Sequence, residues 1–131
     1  MKILLMISIF TLHLIIASSA QSELSVAKIN ESGIQVITID SDSYSFTPDH
    51  VIVKAGVPVI FNVINLSGFV PHDLIIDDPE SGLNIEQSLD DVTTIEFTPM
   101  KKGKFAFYCG KKLLFFESHR EKGMHGILEV R

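Results

Sequence analysis

Cysteine is almost missing from this 131-residue chain: Cys109 stands alone. One cysteine excludes an internal disulfide. In an oxidising compartment a lone thiol is a liability unless it is buried, paired between chains or metallated. Tryptophan is absent, which separates no function class from another. Cations are scarce through residues 21–100, where two lysines face thirteen carboxylates, a balance of −11. The whole chain carries −5 and so lacks the basic surface that nucleic-acid binding requires. Beyond the first twenty residues no apolar run is long enough to span a bilayer. There is also no repeat, no low-complexity tract and no long stretch with helical periodicity.

What is present begins with MKILLMISIFTLHLIIASSA. One early lysine, an apolar run and Ser18-Ser19-Ala20 predict a secretory leader over residues 1–20, cleaved after Ala20. The run is short for a span and His13 interrupts it, so no stable membrane span is expected after cleavage. An exported, periplasmic location follows. Residues 21–131 make one domain, large enough to bury an adequate core without disulfides.

Alternating apolar residues predict strands near residues 34–39, 44–46, 50–54, 59–65, 73–76, 92–97, 104–108 and 126–130. Turn clusters separate them, among them Thr47-Pro48-Asp49, Leu66-Ser67-Gly68 and Lys101-Lys102-Gly103. Residues 21–32 read as a polar lead-in, and 83–89 as a loop or one turn of helix. Seven or eight short strands with turns between them predict an all-β sandwich or barrel.

The chemistry gathers in FAFYCGKKLLFFESHREKGMHG, residues 105–126. Cys109 is followed by His119 and Met124, and His72 stands upstream in VPHDLII. A thiolate and a thioether are soft donors that favour Cu(I), while imidazoles suit both copper oxidation states. Each residue alone has an ordinary reading. Buried Cys and Met are usually packing, His119 lies in a charged run, and His72 fits a half-buried strand histidine. His125 rivals Met124 and His119 as a donor, although strand alternation turns it to the opposite face. His50 reads as a surface residue. Asp73 either bonds across to the backbone of the Cys109 loop or is a solvated carboxylate. Leu113-Leu114-Phe115-Phe116 reads as packing of a long loop against the barrel rim, ahead of a docking patch. Lys101, Lys102, Lys104, Lys111 and Lys112 form either a basic collar or a solvated face. Residues 101–131 carry eight cations and three carboxylates, so positive charge travels with the Cys–His–Met stretch. Such a patch suits an acidic protein or an anionic surface.

Four segments together resemble the cupredoxins, the plastocyanin- and azurin-like blue copper proteins: YSFTPDHVIVKAGVPVIFNVIN, VPHDLII, TIEFTPMKKGKFAFYC and SHREKGMHGILEV. The resemblance implies a Greek-key β-sandwich or barrel of about seven or eight strands. It implies one copper ion per chain, cycling between Cu(I) and Cu(II), with His72, Cys109, His119 and Met124 as ligands. It implies a one-electron carrier working as a monomer with a redox partner such as a cytochrome or an oxidase. The alternative on the same fold is a copper scavenger, chaperone or resistance protein. An enzyme is not expected. A multicopper oxidase needs further domains and a His-Cys-His element, and a binuclear centre needs two cysteines. One departure stands out: nine residues separate Cys109 from His119, where the family usually has only a few.

Overall fold

The computed structural model describes residues 21–131, so the leader expected over residues 1–20 lies outside the described residues. Strands form where side chains can alternate between core and solvent, or where backbone pairing alone holds the segment. They are β1 (Leu24–Val26), β2 (Lys28–Ile29), β3 (Gln35–Asp42), β4 (Ser45–Thr47), β5 (His50–Val53) and β6 (Val59–Asn65). After these come β7 (His72–Asp78), a single 3-10 turn (Pro79–Ser81), β8 (Leu83–Leu89), β9 (Val92–Phe97), β10 (Gly103–Tyr108) and β11 (His125–Val130). β3 shows the rule: Gln35, Ile37, Ile39 and Ser41 are buried while their neighbours are not. Among the described residues no helix is long and apolar enough to cross a membrane.

The strands form two sheets. One has six strands in the order β1-β5-β11-β10-β7-β8; the other runs β2-β3-β6-β9, with β4 pairing to β3. Most neighbours are antiparallel, but β1–β5, β5–β11 and β3–β6 are parallel. The expected β-sandwich is therefore the fold. Its core is shared by the facing sides: Ile39, Val59, Phe61 and Val63 from one sheet, and Leu74, Ile76, Phe107 and Leu128 from the other. Phe61 meets Phe97 edge-on at 4.9 Å between centroids, and Phe107 lies 5.5 Å from Phe46. Such tilted contacts suit the ring quadrupoles.

Two expectations need correction. Residues 21–32 are not merely a lead-in, because they supply β1 and β2. Leu24, Val26 and Ile29 stay exposed, so burial gives no signal there; backbone pairing to β5 and β3 defines the strands. Residues 83–89 are a full strand, paired with β7 from Leu83↔Asp78 to Leu89↔His72. β8 is an edge strand that fully buries only its two terminal leucines, which hides its period in the sequence.

The order β11-β10-β7 fixes the functional end. Tyr108, last in β10, is paired to His125 at the start of β11 and to Ile75 in β7. Cys109 therefore leaves β10 between the beginnings of its two neighbours. Gly126 keeps this junction tight, since a Cβ there would overlap both the Phe107 ring and the Asp49 carbonyl.

Candidate metal centre

His72 opens β7 and is buried. Its Nε2 lies 2.8 Å from the Ser67 hydroxyl oxygen. Ser67 is held in turn: its backbone N–H donates to Asn65 Oδ1, and its Oγ accepts the Ser43 N–H at 2.9 Å. A partner on Nε2 orients the ring so that Nδ1 faces Cys109.

Cys109 follows β10 and is wholly buried. Its N–H donates to the Met124 carbonyl at 3.1 Å, and its Sγ accepts the Asp73 N–H at 3.5 Å. Asp73 is buried too, and its Oδ1 accepts the Gly110 N–H at 2.6 Å. The bond from Asp73 to the Cys109 loop is therefore present. Lys111 Nζ lies 3.7 Å from Asp73 Oδ2, which sets a counter-charge beside that carboxylate.

The nine-residue spacing to His119 resolves as an excursion. The His119 N–H donates to the Lys111 carbonyl at 2.8 Å, so the chain leaves and returns at one place. A reciprocal cap shapes the return. The Ser118 N–H and hydroxyl both donate to Glu121 Oε2, at 2.6 and 2.8 Å, and the Glu121 N–H donates back to Ser118 Oγ. These bonds hold the Glu121 carboxyl below its ordinary pKa. The Tyr44 ring meets His119 edge-on at 5.0 Å. Met124 closes the loop, with its N–H donating to the His119 carbonyl at 2.9 Å and its side chain wholly buried.

These constraints converge three donors. His72 Nδ1 and His119 Nδ1 are 3.1 Å apart, and Cys109 Sγ lies 3.8 and 3.5 Å from them. Among the described residues, His72, Cys109 and His119 form a buried group whose ligand atoms all lie within 4.8 Å of one another. Burial pushes the Cys109 thiol up to about 11, against donated backbone hydrogen bonds that pull the other way. Burial also lowers both imidazoles, helped by their mutual repulsion at His72 and by Lys122 at His119. At neutral pH the metal-free site is thus a thiol and two neutral rings. Two ring nitrogens this close need a shared proton or a cation between them. A borderline or soft cation would satisfy both lone pairs and the sulfur together.

Other expected features fall elsewhere. His125 is exposed and outside the cluster. His50 Nε2 pairs with Glu129 at 2.8 Å. Lys101, Lys102 and Lys104 sit at the start of β10, about 17 Å of strand from its Cys109 end. They cannot complete a collar with Lys111 and Lys112. Leu113, Leu114, Phe115 and Phe116 do not pack on the rim, since all four are exposed. Ser67 and the Ser118–Glu121 cap are additions to the expected set. Only the cap had a sequence signal, the Ser-x-x-Glu spacing.

A family model described as the Cupredoxin-like domain matches residues 5–125. The metal-binding domain of the Cu(I)-exporting P-type ATPase CopA from Streptococcus pneumoniae is similar at 22% identity and a TM-score of 0.62, covering 85% of this chain and 98% of that one. Reduced auracyanin from the photosynthetic bacterium Roseiflexus castenholzii is similar at 20% identity and a TM-score of 0.57, covering 73% and 96%. A multicopper oxidase is similar at 14% identity and a TM-score of 0.60, covering 83% of this chain and 47% of that one. No curated protein sequence matches the chain. At these identities the structural likenesses are likenesses of fold.

Proposed function

The chain belongs to the cupredoxin-like family, and on that premise we propose that it is an exported mononuclear copper protein carrying single electrons between redox partners. Copper is the metal of this family. His72, Cys109 and His119 would hold the ion, with Met124 as the weak fourth donor. The observation that carries this reading is the convergence of two imidazole nitrogens and one sulfur within 4.8 Å in a buried site. When bound, copper supplies exchange of one electron between Cu(I) and Cu(II).

The chain's own residues supply rigidity. Backbone hydrogen bonds tie Cys109 to Met124 and Met124 to His119, while Asp73 donates its N–H to the Cys109 sulfur and accepts the Gly110 N–H. Donors fixed in this way keep one arrangement for both oxidation states. The His119 edge lies under a surface hollow of about 350 Å³, within reach of a partner. With Met124 as the fourth donor the site would keep no open position of the kind that catalytic metal sites keep, which supports a carrier over an enzyme.

A second reading is copper handling. It is favoured by the excursion over residues 112–118, which stands beside the metal edge, and by the fold shared with the domain of a copper exporter. The rate of electron exchange with an acidic exported cytochrome, followed against ionic strength, separates the two. A carrier exchanges rapidly at low salt, and Lys111→Glu with Lys112→Glu slows it and flattens its salt dependence. Slow exchange indifferent to those lysines, with copper-sensitive growth on gene deletion, would assign copper handling instead.

A further inference from the structure

Beside the candidate metal centre two tight turns project apolar side chains into solvent. In one, the Phe116 N–H donates to the Leu113 carbonyl at 3.0 Å, and Leu114 is held at φ +50°. A leucine in that left-handed region is uncommon, and no buried contact compensates, because Leu114 is 74% and Phe115 84% exposed. In the other, the Val70 N–H donates to the Ser67 carbonyl at 3.3 Å, Gly68 has φ +61°, and Phe69 is fully exposed. Both turns border the same hollow, which Lys111, Lys112 and Lys122 also line, with Glu117 the one carboxylate among its lining residues.

We infer that this end of the molecule docks on an anionic lipid bilayer, with Phe69, Leu114 and Phe115 entering the interface and the three lysines meeting headgroup phosphates. Apolar side chains at projecting tips, with cations on the shoulder behind them, fit the headgroup–acyl boundary. A protein partner would instead need two pockets matched to two separate tips. Asp90 and Asp91 line a neighbouring hollow that shares Phe69, Val70 and Pro71 with the first, so the molecule approaches tilted toward its lysine side. Docked in this way, the His119 edge faces the membrane, where an electron or a copper ion would pass to an integral membrane partner. The inference holds for either copper reading.

The test is co-sedimentation of the purified protein with vesicles of equal phosphatidylglycerol and phosphatidylcholine, and with vesicles of phosphatidylcholine alone. Binding is expected to the first and much less to the second, weakening as salt rises. Leu114→Ser with Phe115→Ser should reduce it about tenfold or more. Lys112→Glu with Lys122→Glu, both exposed, should do the same by an electrostatic route. All these side chains lie on the surface, so a retained copper-dependent absorption band shows that each variant is folded. Because the chain has no tryptophan, Phe115→Trp supplies a single reporter whose emission should shift to the blue on the anionic vesicles. Absence of sedimentation with anionic vesicles overturns the inference, as does equal sedimentation of the Leu114/Phe115 variant. Concentration-dependent dimers lost in that variant, or an acidic soluble protein bound in place of vesicles, overturn it as well.

Discussion

At Cys109 the first question is where its proton goes. Burial holds the thiol near 11 and keeps both imidazoles below their ordinary value, so near neutrality the metal-free site carries one displaceable proton, on sulfur. A ligating thiolate must lose that proton, whereas His72 and His119 are already neutral. Copper binding at about pH 7 should therefore release close to one proton, and affinity should rise about tenfold per pH unit through the neutral range. Titration calorimetry in buffers of different ionisation enthalpy counts it; zero or two protons would contradict the assignment. Ser67 acts one shell further out. Ser67→Ala removes the partner of His72 Nε2 and should weaken copper binding by about 10–100-fold without abolishing it, measured by competition with a chelator. The sequence marks Ser67 only as a turn residue, since a serine two residues past a strand carries no sign of what its hydroxyl will meet. His72, Cys109, His119 and Met124 could be picked out because their residue types are rare and their order is specific.

At the scale of elements, β10 joins core to site. Phe107 is wholly buried against Phe46 and Phe61, two residues before Cys109. Phe107→Ala should cost about 3–5 kcal/mol of stability, read from urea unfolding, and should broaden the site it supports. Unchanged stability would show that the core does not brace this end. The loop after β10 behaves in the opposite way. Because His119 returns to the Lys111 carbonyl, residues 113–117 lie outside the closure that sets the site. Replacing those five residues with two glycines should preserve the copper band and abolish vesicle binding; loss of the band would mean that the excursion shapes the site. β3, β6 and β11 were legible because each shows a clean two-residue period. β8 was not, since an edge strand tolerates Asn84, Glu86, Gln87 and Ser88 on its open faces. The exposure of Leu113 to Phe116 also ran against composition, which favours packing for four consecutive apolar residues.

Across the whole molecule, charge and topology divide the ends. The cations of residues 101–131 do not form one patch, because Lys101, Lys102 and Lys104 lie at the opposite end of β10 from Lys111, Lys112 and Lys122. Chain position could reveal the excess but not its partition, which depends on the direction of β10. The sandwich itself was legible, since many short alternating segments leave few other ways to bury one face each. Its consequence is that three donors, contributed by the start of β7, the end of β10 and the loop before β11, meet in one buried cluster. That convergence is tested most directly by the visible absorption of the protein titrated with Cu(II). An intense thiolate-to-copper band saturating at one ion per chain, and absent from Cys109→Ser, is the expected result. A protein that takes up no copper, or gives the same spectrum after Cys109→Ser, would contradict it.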